Sequence, residues 1–82
     1  MSIDPNSIAV GLCYRTPAEE VRKVKEVEGD NVKYVARGGT NRKDWEKSAP
    51  HRNTTKAVFA AAVECQVKCH WDKDFPEQQT TN

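Results

Sequence analysis

The sequence predicts an α+β domain with an antiparallel sheet of about four strands and one C-terminal helix at about residues 55–66. Two features of the chain carry this prediction. Residues 8–37 hold three runs rich in valine and tyrosine, which Pro17 and the Gly-Asp-Asn sequence at 29–31 separate as turn signals separate strands. Further on, four apolar residues recur at helical spacing in an alanine-rich segment: Val58, Phe59, Ala62 and Val63. With 82 residues, the chain has the length of one small domain.

The first predicted strand covers residues 8–15 and ends before Pro17, whose nitrogen cannot donate a hydrogen bond to a neighbouring strand. Its larger apolar residues occupy every second position, which is the pattern of a strand with one buried face. They are Ile8, Val10, Leu12 and Tyr14. We expect the residues between them to face away from the core, as a flat surface suited to a peptide strand or a second copy of the chain. They are Ala9, Gly11 and Cys13.

The segment at residues 19–28 fits two structures. Its three valines recur every third residue, which suits one face of a helix, and a capping box precedes them. All three are β-branched, however, and the segment leads through the Gly-Asp-Asn turn into an alternating run. We therefore predict a β-hairpin, with a bulge near Arg22 and Lys23 that brings Val21 and Val24 to the same side.

Short sequence patterns predict the remaining elements of secondary structure. Residues 43–47 are expected to form a short edge strand whose Trp45 folds over one end of the core. Asn53 or Thr54 is expected to cap the helix. After the helix, residues 67–71 fit a last short strand or an extended strap.

The predicted compact domain covers residues 8–71. Residues 1–7 are polar and are expected to be a leader that is disordered or was added for expression, and residues 72–82 are expected to be a polar flexible tail. The predicted core consists of Val10, Leu12, Tyr14, Val21, Val27, Val32, Tyr34, Val58, Phe59, Ala62 and Val63.

Four stretches of the chain carry a resemblance to other proteins. They are GLCYRTPAEEVRKVKEVEGDNVKYVARG from Gly11, the lone Trp45, KAVFAAAVE from Lys56 and CHWDKDFP from Cys69. Over about residues 8–76, the chain resembles short bacterial and phage-type proteins of no assigned activity that are encoded in mobile or accessory regions. The resemblance implies a small SH3-like β-barrel with an added helix, and it implies no catalytic residues.

Positive charge is concentrated in the middle of the chain, although the net charge of the whole chain is only +1. Residues 31–56 carry seven basic and two acidic residues, a net charge of +5. Small barrels bind nucleic-acid strands by combining a basic groove with exposed aromatic rings on which bases stack. The candidates for such a surface, or for binding another anion, are Arg37, Arg42, Lys43, Lys47, Arg52 and Trp45, with Tyr34 as a second ring. The alternative is a solvated basic loop.

The three cysteines, Cys13, Cys65 and Cys69, are expected to be reduced thiols. Their number is odd and no signal-peptide pattern precedes them, so we predict a cytoplasmic protein. Cys65, Cys69 and the adjacent His70 are weak candidates for zinc ligands, because structural zinc sites commonly use a second pair of ligands that the sequence does not show. We expect neither a metal nor another cofactor.

No group of residues forms a recognisable catalytic set, so we expect a protein that is not an enzyme. The favoured function is a binding or accessory module that acts through protein–protein contacts, with an unknown protein or a second copy of the chain as partner. Trp71 and Phe75 are the candidate interface residues, unless they fold back over the helix. Nucleic-acid binding by residues 31–56 is the alternative, and a small zinc-binding module is the minor one. The longest apolar run is too short to span a membrane, so no membrane partner is expected.

Overall fold

The computed structural model describes residues 3–40 and 44–74. The predicted site residues Arg42, Lys43 and Phe75 lie outside these ranges. The strands are β1 (Cys13–Arg15), β2 (Val21–Glu28), β3 (Asn31–Arg37), β4 (Arg52–Thr55) and β5 (Cys65–Val67). The helices are α1 (Trp45–Ser48) and α2 (Lys56–Ala62), with a 3-10 turn at Pro5–Ser7. Among the described residues, no helix is long and apolar enough to cross a membrane.

The five strands form one antiparallel sheet in the order β4-β3-β2-β1-β5. This confirms a mixed α+β domain that is mostly sheet, with one strand more than predicted. β4 contains Asn53 and Thr54, the two residues that the sequence predicts as alternative helix caps. Residues 45–47 of the predicted edge strand belong to α1 instead.

The predicted hairpin is confirmed, and the helical alternative for its first half is wrong, because β2 pairs with β3 along its whole length. Gly29 has the positive φ, +58°, that the first position of a two-residue hairpin loop requires. The bulge lies between Val24 and Glu26, later than predicted. Val24 and Val27 therefore belong to one core, and Val21 belongs to a second core on the opposite face.

β1 is shorter than the predicted first strand. Gly11 has a φ of +90°, and Leu12 N donates to Ala9 O, so a turn precedes the strand. Val10 lies in this turn and is 60% exposed. Its predicted place in the core is therefore wrong.

α2 lies inside the predicted range but ends at Ala62, because Val63 is extended and the chain continues into β5. The helix is therefore followed by a strand and is not the C-terminal element. Thr55 caps α2, in place of the predicted Asn53 or Thr54. Its hydroxyl accepts a hydrogen bond from a main-chain N–H of the first helical turn, as an N-cap threonine does.

One face of the sheet, called the helix face below, is covered by α2. Its buried residues form a single cluster: Ile8, Tyr14, Val24, Val32, Tyr34, Phe59, Ala60 and Val63. The ring of Phe59 meets the rings of Tyr14 and Tyr34 edge to face, with centroids 5.5 and 5.2 Å apart. Val58 lies outside this cluster and is 59% exposed, so its predicted place in the core is wrong.

The opposite face, called the tail face, carries a second core. It is covered by the tail segment, defined as residues 68–74, and the buried residues that pack together as a cluster there are Cys13, Val21, Val67 and Trp71. Cys13 and Cys69 form a disulfide between positions 56 residues apart, with their Cα atoms 5.1 Å from each other. The prediction of three reduced thiols is therefore wrong. The prediction of a free surface on the Cys13 side is also wrong, because that side chain is 1% exposed.

Residues 3–7 pack on the domain, although the sequence predicts a leader there. Ile3 N donates to Ala60 O, and the Ile3 side chain contacts the helix-face core. The buried hydroxyl of Tyr14 donates to Ser7 O. These contacts join residues 3–7 to the helix-face core.

Candidate functional site

Arg37, at the end of β3, is the centre of the contacts that hold the tail segment on the sheet. Its guanidinium donates hydrogen bonds to the main-chain oxygens of Gly38, Cys69 and Trp71. Burial lowers the pKa of Arg37, and the charge of Asp72 opposes this shift. The arginine that the sequence predicts as an anion ligand is thus largely engaged inside the protein.

Trp45 contacts the same guanidinium. Its ring centroid lies 5.5 Å from Arg37 Cζ, within the range of a cation–π interaction. The next residue, Glu46, accepts hydrogen bonds from Lys23 Nζ at 3.0 Å and Lys25 Nζ at 2.9 Å. These contacts hold α1 on the tail face and leave Trp45 half-buried. They give a physical reason for a short helix in place of the predicted edge strand.

A groove of about 430 Å³ lies between the end of β3, α1 and the tail segment. Its lining consists of Ala36, Arg37, Gly38, Gly39, Thr40, Trp45, Ser48, Ala49 and Lys73. Among the described residues, the lining holds two cations and no carboxylate. A Cβ atom at Gly39 would lie 3.0 Å from Lys73 Cδ and 3.1 Å from Glu19 O. The absent side chain therefore allows the tail segment to approach closely and form one wall.

The other members of the predicted nucleic-acid surface are dispersed or covered. Lys47 and Arg52 are exposed, on α1 and β4 respectively. The ring of Tyr34 is buried in the helix-face core, so it does not offer a face for base stacking. Among the described members of the set, the structure brings Arg37 and Trp45 into contact.

The weak zinc candidates do not form a ligand set. Cys69 Sγ is bonded to Cys13, so it is not a thiolate ligand as predicted. Cys65 is a partly buried free thiol in β5, and His70 is exposed in the turn after Cys69. Within residues 3–40 and 44–74, no group of three or more metal-ligating side chains occurs.

Trp71, a predicted interface residue, is 2% exposed. It folds back onto the sheet, on the face opposite α2, and Arg15 Cζ lies 5.4 Å from its ring centroid. Arg15 in turn forms an ion pair with Glu64 at 2.6 Å. Trp71 is therefore part of the second core. The signal that could have located it is the pairing of Cys13 with Cys69, two residues away in the chain.

The outer side of β4, on which no described strand pairs, is an open edge that sequence reasoning missed. Lys56 N donates to Asp30 O, and bonded pairs alternate along antiparallel strands, so residues 52 and 54 bond to β3. The main-chain N–H and C=O of Asn53 consequently point outward. Asn53 is exposed, and β4 contains neither a proline nor a bulge that would block further pairing.

Comparisons with protein-family models, curated proteins and solved structures found no match to this chain. The resemblance to mobile-element proteins therefore stays a prediction, as does the SH3-like barrel that it implies.

Proposed function

We propose that the protein is a non-catalytic binding module that takes up an extended segment of a partner protein along the outer edge of β4. One observation supports this function above all: the main-chain groups of Asn53 point outward on an exposed edge strand. An added strand forms main-chain hydrogen bonds with such an edge, and these provide affinity without a deep pocket. Edge binding suits a domain of 82 residues, which has little volume to enclose a ligand.

β4 is already an ordered strand before a partner segment binds to it. Its four residues pair with β3 from Arg52 opposite Tyr34 to Thr55 opposite Asn31. The strand then runs directly into α2, whose apolar side is buried in the helix-face core. A rigid edge loses little conformational entropy when a partner segment binds.

The charges around β4 indicate the chemistry of the partner. Arg52, at the start of the strand, is exposed and forms no ion pair with another described residue. The far end of β4 lies beside the β2–β3 turn, where Glu28 and Asp30 are exposed. In antiparallel pairing, the C-terminal end of the added segment lies opposite Arg52. We therefore propose a partner segment with an acidic residue near its C-terminal end.

Two variants at one position test this function. Asn53→Pro removes the outward N–H, and an outward edge position is one that tolerates proline, whereas Asn53→Ala keeps the N–H. The probes are short peptides of alternating threonine and valine that end in glutamate or in lysine. We expect NMR titration to show binding of the glutamate peptide to the wild type and to Asn53→Ala, with slowed exchange of the Asn53 amide proton. Equal binding by Asn53→Pro would refute the proposal, as would the absence of peptide binding.

Sedimentation at increasing protein concentration distinguishes a partner from a second copy of the chain. A monomer at all concentrations supports a separate partner protein. A dimer that Asn53→Pro abolishes and Asn53→Ala preserves would instead identify a second copy as the occupant of the edge.

The geometry gives less support to the other two predicted functions, nucleic-acid binding and zinc binding. Nucleic-acid binding through residues 31–56 remains a prediction, although the internal role of Arg37 and the burial of Tyr34 weaken it. Zinc binding has one candidate ligand fewer, because Cys69 forms the disulfide. The same disulfide favours an oxidising compartment over the predicted cytoplasm, because small domains in oxidising environments commonly depend on such bonds.

A further inference from the structure

We infer that the groove beside Arg37 and Trp45 binds a small phosphate monoester. The groove lies on the tail face, so this site is distinct from the β4 edge and does not depend on the proposed function. Arg37 and Lys73 supply positive charge to its walls, and no carboxylate occurs among the lining residues that the structure describes. Asp72 offsets part of the Arg37 charge, whereas Lys73 is exposed and forms no ion pair with a described residue.

Arg37 lines the groove and retains one N–H donor that the described contacts leave unused. A guanidinium has five N–H donors, and the described hydrogen bonds direct its two terminal nitrogens to three main-chain oxygens. Arg37 Nε is buried and has no hydrogen-bond partner within the described part of the chain. A buried donor without an acceptor is unfavourable. A small turn of the guanidinium that opens Nε to the groove would give this donor a phosphate oxygen as its acceptor, and a guanidinium matches such oxygens.

The size and the remaining lining of the groove favour a small ligand. Its volume of about 430 Å³ falls in the lower part of the range for small-molecule pockets. The hydroxyl of Thr40 offers a further donor for a phosphate oxygen. The half-buried ring of Trp45 provides an apolar wall for the group that the phosphate esterifies.

The wall that carries Lys73 is held in place by several contacts. Lys73 N donates to Gly39 O at 2.9 Å, and the Lys73 stem packs against Gly39. The disulfide to Cys13 fixes the same tail segment four residues earlier, at Cys69. A lysine positioned in this way loses less side-chain entropy on binding an anion than a freely moving surface lysine does.

The test is an NMR titration that follows the Arg37 Nε–H and Trp45 indole N–H signals. The probes are inorganic phosphate, ribose 5-phosphate and adenosine monophosphate. We expect saturable shifts of both signals, with Lys73→Gln weakening phosphate binding about fivefold, the effect of one partly exposed charge. Lys68→Gln is the matched control, because Lys68 is an exposed lysine of the same segment outside the groove lining. Thr40→Val is a second variant, expected to weaken binding without any change in charge.

Three outcomes would overturn the inference. The first is the absence of saturable shifts with all three probes at low ionic strength. The second is equal weakening by Lys73→Gln and Lys68→Gln, which would indicate general attraction to a basic surface. The third is tight binding of a short single strand in place of the monoesters, which would assign the groove to nucleic acid. Asn53→Pro should leave phosphate binding unchanged, so this inference and the proposed function can fail separately.

Discussion

The guanidinium of Arg37 donates a hydrogen bond to the main-chain oxygen of Trp71, and this contact joins the end of β3 to the tail segment. A second hydrogen bond from the same nitrogen reaches Cys69 O. These carbonyl groups lie outside the five strands of the sheet. Arg37 thus supplies donors that a neighbouring strand would otherwise provide, and it keeps the Trp71 ring over the second core.

Replacement of Arg37 by methionine should release the tail segment. Arg37→Met keeps much of the apolar stem but removes the donors, and we expect the free energy of unfolding to fall by about 2–3 kcal/mol. Urea denaturation measures this change, and the emission of Trp71 should shift to the red as its ring meets water. Arg52→Met is the control at an exposed position, with an expected change within about 0.5 kcal/mol. Equal losses in the two variants would contradict the internal role of Arg37.

The disulfide between Cys13 and Cys69 should contribute a large part of the stability. It closes a loop between positions 56 residues apart, for which chain entropy predicts about 4 kcal/mol. The double variant Cys13→Ser and Cys69→Ser should lose up to that amount in urea denaturation, whereas Cys65→Ser should change little. Mapping of proteolytic peptides with and without reductant checks the pairing. Thiol labelling of all three cysteines in the unreduced protein would show that the bond is absent.

Local sequence signals were sufficient to predict the central hairpin of β2 and β3. β-branched residues on both sides of a Gly-Asp-Asn turn favour paired strands over a helix, and β2 and β3 pair as these signals predict. The same alternation rule failed at Cys13, because it assumes that a thin sheet buries one face only. The tail segment covers the other face, and nothing in the residues around Cys13 indicates that Cys69 will reach it.

The elements that depend on distant contacts were not predictable in the same way. Trp45 lies in a helix because its ring packs on Arg37, and β4 forms because the edge of β3 offers it a partner. For the groove, the sequence indicated Arg37 and Trp45 as anion-binding candidates. Lys73 was missed because it reaches the groove only through the path of the tail segment over Gly39.

Glu46 links α1 to β2 through an interaction that depends on pH. Burial raises the pKa of Glu46, but the hydrogen bonds and charges of Lys25 and Lys23 outweigh that effect, so the pKa lies below its ordinary value of 4.5. A carboxyl group with a lowered pKa in the folded state stabilises the protein above its unfolded pKa. This contribution is lost as the pH falls from about 4.5 through the folded pKa of Glu46.

Glu46→Gln should therefore weaken the protein at neutral pH and flatten the decline of its stability in acid. The loss at neutral pH should be below about 1 kcal/mol, because solvent screens a carboxylate that is one-third exposed. Urea denaturation at a series of pH values, from neutral to below the ordinary glutamate pKa, measures both effects. Glu28→Gln is the control, since Glu28 is exposed and forms no ion pair within the described part of the chain. If Glu46→Gln kept the wild-type decline in acid, Glu46 would not bridge Lys23 and Lys25 in solution, and α1 would lose its main polar attachment to the sheet.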